Sequence, residues 1–159
     1  MEQSPTEPAR TPNDVGLWFM LLGLLALAAS LLFGVLGAFK FLYPEFLEEL
    51  AFNKLRPLHV SLAVSWIFLT AIGGIYYYLP NFSNLSSFSN RIARWHFWIY
   101  LVTGLTILGA YALGKFGGRE YWEFPPILAL PIFLTWIMFG VNYFTIAVKR
   151  RTAWPLYYW

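Results

Sequence analysis

The stretch FNKLRPLHVSLAVSWIFLTAIGGIYYYLP, residues 52–80, decides the fold of this chain. Its apolar part, 57–79, exceeds the roughly 20 residues that a helix needs to cross a bilayer, so it predicts a membrane helix. His59 lies near the start of this run. An ionisable side chain inside a membrane span costs free energy and therefore indicates a function by default. The chain has 2 histidines in all, so His59 is where a functional interpretation begins.

The composition indicates a membrane protein. Of the 159 residues, 58% are hydrophobic, 21% are aromatic and 12% are charged. A soluble domain carries charge on about a quarter of its residues, so lipid is expected to solvate much of this surface. The absence of cysteine excludes disulfides, thiolate metal sites, iron–sulfur clusters and covalent c-type heme attachment through this chain. The net charge of +3 is small and scattered, and it gives no nucleic-acid interpretation.

Four apolar runs predict an all-α, polytopic membrane domain over residues 15–148. They cover 15–42, 57–79, 91–113 and 126–148, and each is long enough to be a transmembrane helix. The connections are short and carry most of the charges, and tryptophan and tyrosine cluster near the ends of the runs, as in an aromatic belt. Residues 1–14 are polar and proline-rich, which predicts a disordered tail.

Basic residues predict the orientation. Lys149, Arg150 and Arg151 form the densest basic cluster, and the positive-inside rule puts such a cluster in the cytoplasm. Four spans then put the N-terminus in the cytoplasm too, although the overall lysine and arginine bias is weak. Residues 149–159 combine this cluster with TAWPLYYW, which is typical of the entrance to a further helix. We therefore expect the chain to be the N-terminal part of a longer subunit.

The two histidines are predicted to lie far apart. His59 is near the start of the second run and His96 near the start of the third. Consecutive spans are antiparallel, so at 1.5 Å per residue the two differ in depth by roughly 20 Å. They cannot ligate one iron. His96 stands among aromatic residues beside a basic pair, and it is predicted to be an interfacial histidine whose hydrogen bonds are satisfied.

His59 leaves two interpretations open from the residues alone. One is a buried histidine that bonds to a neighbouring helix, and the other is an axial ligand of heme iron, a common role of imidazole. Arg56 lies three residues earlier and one turn away on the same face. A guanidinium there is well placed to pair with heme propionates, which favours the ligand interpretation.

The connection between the third and fourth runs, GGREYWEFPP at 117–126, brings two carboxylates close together. Glu120 and Glu123 are three residues apart and Glu120 follows Arg119. Antiparallel topology puts this loop on the same membrane face as the His59 end of the second run. Such hard oxygen ligands could hold Ca²⁺ that bridges to heme propionates. The alternative is an ordinary solvated loop with a local arginine–glutamate pair.

These strings together resemble the catalytic subunit of the heme-copper oxidase superfamily, over nearly the whole chain after the tail. The large subunit of bacterial nitric oxide reductase is similar along the second run and in the GRE-aromatic-E pattern of the loop. The matching positions of the second run are Phe52, Asn53, Arg56, His59, Trp66, Gly73, Tyr76, Tyr77 and Pro80. The cbb-type cytochrome oxidases are also similar, in LRPLH (55–59), HFW (96–98), REY (119–121) and NYF (142–144).

The resemblance implies a fold and a set of residue roles. The chain would supply the first four helices of a fold with roughly twelve. His59 would be one axial ligand of a low-spin heme b near the outer face. Glu120 would be a calcium ligand between the propionates, with Glu123 close by, and Arg56 would support the propionates. The second axial ligand, the high-spin heme and the non-heme iron or copper would belong to later helices.

The resemblance also implies an activity. The complete subunit would take electrons from a membrane-anchored cytochrome c subunit in the bacterial inner membrane and reduce nitric oxide to nitrous oxide. The first alternative is a cbb-type oxidase that reduces oxygen to water. A second is a non-catalytic heme b protein that transfers electrons, and a third is a four-helix membrane scaffold without a cofactor. The glutamate or cross-linked tyrosine that separates reductase from oxidase is expected beyond residue 159.

Overall fold

The computed structural model describes residues 14–46, 48, 51–83 and 88–149, without the side chains of 81–83. This part of the chain is all-α, as predicted. It contains the helices α1 (Asp14–Leu42), α2 (Phe52–Ser83), α3 (Asn90–Ala112) and α4 (Ala129–Lys149), and a short 3₁₀ helix, Pro126–Leu128, leads into α4. Residues 1–13 of the predicted tail and 150–159 of the predicted C-terminal segment lie outside the described residues.

Three of the described helices are long and apolar enough to cross a membrane: Asp14–Leu42, Phe52–Pro80 and Pro126–Lys149. The helix α3 has 23 residues, a sufficient length, but it is less apolar than the other three. Its first turns contain Arg91, Arg94 and His96, and threonine, glycine and tyrosine follow. The prediction of four helices is confirmed, and length and composition support three of them as membrane spans.

Small residues bring α1 and α2 into close antiparallel contact. A Cβ added to Gly16 would lie 2.7 Å from the backbone nitrogen of Tyr77 and 2.8 Å from the carbonyl oxygen of Gly73. Further along, Gly23 meets Thr70, and the other end of α1 meets the first turns of α2. Close backbone approach at small residues is how membrane helices pack, because the surrounding lipid offers no hydrophobic driving force.

The helix α3 is fixed at both ends by local hydrogen bonds. The Ser89 side chain accepts a hydrogen bond from the backbone N–H of Ile92 at 3.3 Å, which caps the first turn. At the other end, Gly114 adopts φ +70° and its N–H donates to the carbonyl of Tyr111. This left-handed glycine is a common helix terminator. It turns the chain into the loop that carries Glu120 and Glu123.

The packed core lies at one end of the helices. Its main cluster joins the start of α1, the second half of α2 and the start of α3, with Phe19, Tyr76 and Ala93 almost completely buried. A cavity of about 450 Å³ lies further towards the other end, lined mainly by apolar side chains from all four helices and by residues of the loop before α4. The His59 end of α2 is therefore less tightly enclosed than the Tyr76 end.

Candidate functional site

His59 is held against α1 through one side of its ring. Its Nδ1 lies 2.8 Å from the carbonyl oxygen of Ser30 and 3.2 Å from the Ser30 hydroxyl. The same hydroxyl donates to the His59 carbonyl at 3.0 Å. Since a hydroxyl has one proton, the Ser30 Oγ acts as an acceptor towards Nδ1. The His59 ring and its own backbone are thus both tied to the same residue of α1.

These bonds indicate which nitrogen of the neutral imidazole carries the proton. A carbonyl oxygen can only accept, so in the neutral ring Nδ1 carries the proton and Nε2 keeps its lone pair. Within the described part of the chain, Nε2 has no hydrogen-bond partner and is not sealed from the surface. A histidine that donates from one nitrogen to a carbonyl and keeps the other unprotonated is in the form that ligates a metal. His59 therefore fits the axial-ligand interpretation as well as the helix-bonding one.

Arg56 and the loop before α4 converge at the same end of α2. Nη2 of Arg56 donates to Oε1 of Glu120 at 3.0 Å, and Nη1 lies 3.6 Å from Oε1 of Glu123. The guanidinium, one helical turn from His59, holds two loop carboxylates at once. The predicted ion pair local to the loop is not what the structure shows, because the arginine that meets the glutamates comes from α2.

The two glutamates have different surroundings. The Glu120 side chain is 68% exposed, whereas that of Glu123 is 11% exposed. Oε2 of Glu123 is buried and has no hydrogen-bond partner among the described residues. Burying a carboxylate oxygen without a partner costs free energy, so this atom is a candidate for a further contact.

The loop backbone is built to present these side chains. The N–H of Gly117 donates to the carbonyl of Glu123, and a Cβ on Gly117 would collide with the carbonyl of Phe124. Tyr121 adopts φ +64°, in a tight turn closed by the N–H of Trp122 and the carbonyl of Arg119. The turn points the loop back towards the start of α2.

Among the described residues, no group of three or more histidine, cysteine, aspartate or glutamate side chains could hold a metal ion. Glu120 and Glu123 supply two carboxylates, and Ca²⁺ takes 6–8 oxygen ligands. The pair fits the chemistry of a calcium site in part. The remaining ligands would be backbone oxygens, water or groups outside the described residues.

His96 is enclosed by the surrounding helices. It is 1% exposed, so it lies inside the helix bundle. Its Nδ1 lies 2.9 Å from the hydroxyl of Tyr76. The ring of Phe19 packs against it at 4.8 Å between centroids, and Phe139 lies on another side at 6.4 Å. The Tyr76 contact supports the prediction that His96 is hydrogen-bonded, and its position at the membrane interface stays a prediction.

The separation of the two histidines agrees with the depth argument. His96 is bonded to Tyr76, which follows His59 on α2 by about 25 Å at 1.5 Å per residue. The two imidazoles cannot share an iron. The large cavity does not border His59 either, because Ser61, Ser65 and Phe68, which line it, lie on another face of α2.

The sequence alone missed Ser30 and Gly34 on α1. A Cβ added to Gly34 would lie 2.9 Å from both Cε1 and Nδ1 of His59. The spacing of a small residue four positions after another small residue is typical of close helix contacts, and it was the available signal. Nothing in the spacing identifies the partner as His59.

Comparison with known proteins supports the same family. The family described as "Cytochrome C and Quinol oxidase polypeptide I" matches residues 14–159. One chain of the nitric oxide reductase of Stutzerimonas stutzeri is 28% identical over 148 residues, covering 84% of this chain and 31% of that protein. The present chain thus spans about a third of the length of this relative. With the family match over nearly the whole chain, the resemblance noted from the sequence is confirmed, and the chain belongs to the heme-copper oxidase subunit I family.

Proposed function

We propose that His59 binds the iron of a low-spin heme b through Nε2. The observation that carries the proposal is the pair of contacts to Ser30, which leaves Nε2 as the nitrogen with a free lone pair. Membership of a heme-containing oxidoreductase family supplies the cofactor class. Heme bound there supplies one-electron transfer. This chain would hold the iron through one imidazole nitrogen and orient that ring, and any further protein ligand would come from residues outside this chain.

We propose that α3 also crosses the membrane, so that the four helices form the beginning of the subunit I fold. Its length and its position between two apolar helices support a span, and two of its polar residues are sheltered by protein. His96 is buried against Tyr76, and Thr103 is buried and bonds to the carbonyl of Ile99. With an even number of spans and the basic residues after α4, the N-terminus lies in the cytoplasm of a bacterial cell.

In the proposed site, Arg56 and the glutamates form a polar lid beside His59. Arg56 is 45% exposed while it holds Glu120, so its guanidinium remains accessible to a further anion such as a heme propionate. Glu120, with Glu123 and its unpartnered oxygen close by, would contribute to a Ca²⁺ site at the propionates. The chain's own residues here place charge at the heme edge and tie the loop to α2.

The proposed reaction of the complete protein is the reduction of nitric oxide to nitrous oxide, with electrons from a membrane-anchored cytochrome c. Similarity to the nitric oxide reductase of Stutzerimonas stutzeri supports this choice. Reduction of oxygen to water is the second candidate, because the matched family is described by its oxidases. The high-spin heme and the non-heme iron or copper would be held by residues outside this chain.

The ligand role is tested by His59→Ala in the complete reading frame, expressed in membranes. The absorption of the dithionite-reduced low-spin heme b is expected to disappear, and heme per protein should fall. Lys54→Ala is the matched control, since Lys54 is exposed at the same end of α2. An unchanged low-spin spectrum in His59→Ala would refute the ligand role.

The reaction is tested by gas measurements on the same membranes with reduced cytochrome c as donor. Production of nitrous oxide supports the reductase, and oxygen uptake without nitrous oxide supports the oxidase. Retained heme with neither activity would support an electron-transfer cytochrome instead.

The calcium role is tested by Glu120→Ala, with bound calcium measured by mass spectrometry after a chelator wash. Calcium should be lost more readily than in Glu45→Ala, which removes an exposed carboxylate from the other loop at this end. Equal retention in the two variants would count against Glu120 as a ligand.

A further inference from the structure

Two residues of α1, Ser30 and Gly34, fit closely against one edge of the His59 ring. Gly34 lies against the Nδ1–Cε1 edge, where an added Cβ would approach both atoms to 2.9 Å. Ser30, one turn earlier, holds Nδ1 through its carbonyl at 2.8 Å. Real Cβ atoms do not approach other heavy atoms this closely, so no residue larger than glycine fits at position 34 while the ring keeps its place.

Other small residues of α1 show that this contact is specific to the ring. A Cβ added to Gly16 would meet backbone atoms of α2, and one added to Gly23 would lie 2.6 Å from the methyl group of Thr70. Gly37, one turn beyond Gly34, would meet Phe52 at an ordinary 3.7 Å if it carried a Cβ. At Gly34 the three nearest atoms all belong to the imidazole of His59. The missing side chain at this position therefore serves the histidine and not the approach of the two helices.

We infer that Ser30 and Gly34 are positioning residues for His59. The carbonyl and hydroxyl oxygens of Ser30 keep the proton on Nδ1, and Gly34 lets the ring come close enough to α1 to make those bonds. Together they fix which nitrogen faces a metal and in which ring orientation. The inference rests on the proposed role of His59 as an iron ligand, but it concerns α1, to which neither the sequence nor the family match gave a role.

The electronic consequence can be measured. A ligating imidazole whose remote N–H donates to a carbonyl is a more basic ligand than one without that bond. A more basic ligand stabilises ferric over ferrous iron and lowers the reduction potential. A methyl group at position 34 would push the Nδ1–Cε1 edge away from α1 and lengthen the bond to Ser30. The potential of the low-spin heme should then rise.

The experiment compares four variants of the complete protein in membranes: Gly34→Ala, Gly37→Ala, Gly23→Ala and His59→Ala. The measurements are the low-spin EPR spectrum of the ferric heme and its midpoint potential in a redox titration. Gly34→Ala should shift the low-spin g values and raise the midpoint potential. Gly37→Ala should leave both unchanged, because its Cβ fits. Gly23→Ala disturbs the same helix pair without touching the ring, so any loss of protein should leave the spectrum of the remaining protein unchanged.

The outcomes separate this inference from the proposed function. If His59→Ala keeps the low-spin heme, the ligand role itself fails. If His59→Ala loses the heme and Gly34→Ala matches Gly37→Ala in g values and potential, the positioning role is overturned and the ligand role stands. Should Gly34→Ala not accumulate, Ser30→Ala decides, because it removes a hydroxyl and introduces no clash. It removes the Oγ that lies 3.2 Å from Nδ1 and keeps the Ser30 carbonyl, so the EPR spectrum should shift in the same direction by a smaller amount. An unshifted spectrum would overturn the positioning role of the Ser30 side chain.

Discussion

The two ends of α2 each lie beside a histidine, and the two histidines have different surroundings: His59 belongs to α2 itself, and His96 belongs to α3. At one end, His59 is partly buried, bonds through one nitrogen and lies a turn from a charged cluster. At the other end, His96 of α3 meets Tyr76 in a closed, uncharged environment of aromatic rings. A buried imidazole that bonds to a buried hydroxyl stabilises the fold, whereas a partly exposed imidazole can still offer its second nitrogen to a ligand.

We call the end of α2 at which Tyr76 contacts His96 the sealed end. The largest expected effect on stability comes from a substitution there. His96→Ala removes a ring that packs against Phe19 and removes one hydrogen-bond partner of the Tyr76 hydroxyl. The free energy of unfolding should fall by about 3–5 kcal/mol, the range for truncating a buried aromatic ring. Unfolding in mixed detergent and SDS micelles measures this loss. The low-spin heme of the molecules that remain folded should keep its spectrum.

A ring-preserving substitution serves as the control for that variant. His96→Phe retains most of the packing and loses the hydrogen bond, so its cost should be smaller. The comparison between the two ends would be inverted if His96→Ala abolished the low-spin heme in folded protein while His59→Ala kept it.

The second effect concerns the hydroxyl that links three helices. Tyr76 contacts His96 on α3 and also bonds to the side chain of Asn142 on α4. Tyr76→Phe keeps the ring and leaves two buried polar groups short of a partner, which should cost about 2–3 kcal/mol. Tyr78→Phe is the matched control, because Tyr78 is exposed on the same helix. Equal free energies of unfolding for Tyr76→Phe and Tyr78→Phe would show that the Tyr76 hydroxyl does not stabilise the fold.

Much of the fold could be predicted from the apolar runs, because length and hydropathy determine which segments become membrane helices. The third run was predicted as 91–113 and forms Asn90–Ala112. The second, predicted as 57–79, forms Phe52–Ser83, because its helix continues into polar residues on both sides of the apolar core. Antiparallel topology also predicted correctly that Glu120 lies near the start of α2.

The contacts of the two histidines could not be predicted in the same way. They depend on how each helix is rotated about its own axis, which the low amphipathicity of these apolar segments does not specify. Ser30 meets His59 across 29 positions of sequence, and Tyr76 meets His96 across 20. The contacts of His96 with Phe19 of α1 and Tyr76 of α2 depend on this rotation, and the arginines that precede His96 do not predict them.

The third prediction concerns the other end of α2, with Arg56 and His59, which we call the open end. Arg56→Met keeps the apolar stem of the side chain and removes the guanidinium from both glutamates. Glu123, nearly buried, would lose its cationic partner, and the free energy of unfolding should fall by about 1.5 kcal/mol. The expected readout is a shift in the SDS unfolding midpoint. If heme binds at the proposed site, its potential should also change, because a positive charge beside that site is lost. Arg94→Met is the control at the other end of the helices. An equal change of the heme midpoint potential in Arg56→Met and Arg94→Met would show that the charge of Arg56 has no special relation to the heme.

The smallest effect distinguishes the two glutamates within the open end. Glu120→Gln breaks an ion pair in which both side chains are substantially exposed, so the loss of stability should be about 0.5 kcal/mol and should vanish at high salt. Glu123→Gln acts on a side chain that is 11% exposed, so its effect should be larger and should persist in salt, because solvent does not screen a buried pair as well. Unfolding titrations at low and high salt measure both. If the two variants respond to salt alike, the burial of Glu123 does not matter to the pair, and Arg56 holds the loop through surface charge alone. If they differ as expected, Glu123 stabilises the open end as a buried partner of Arg56. The groups that remain accessible to a ligand there are then Glu120, Arg56 and Nε2 of His59.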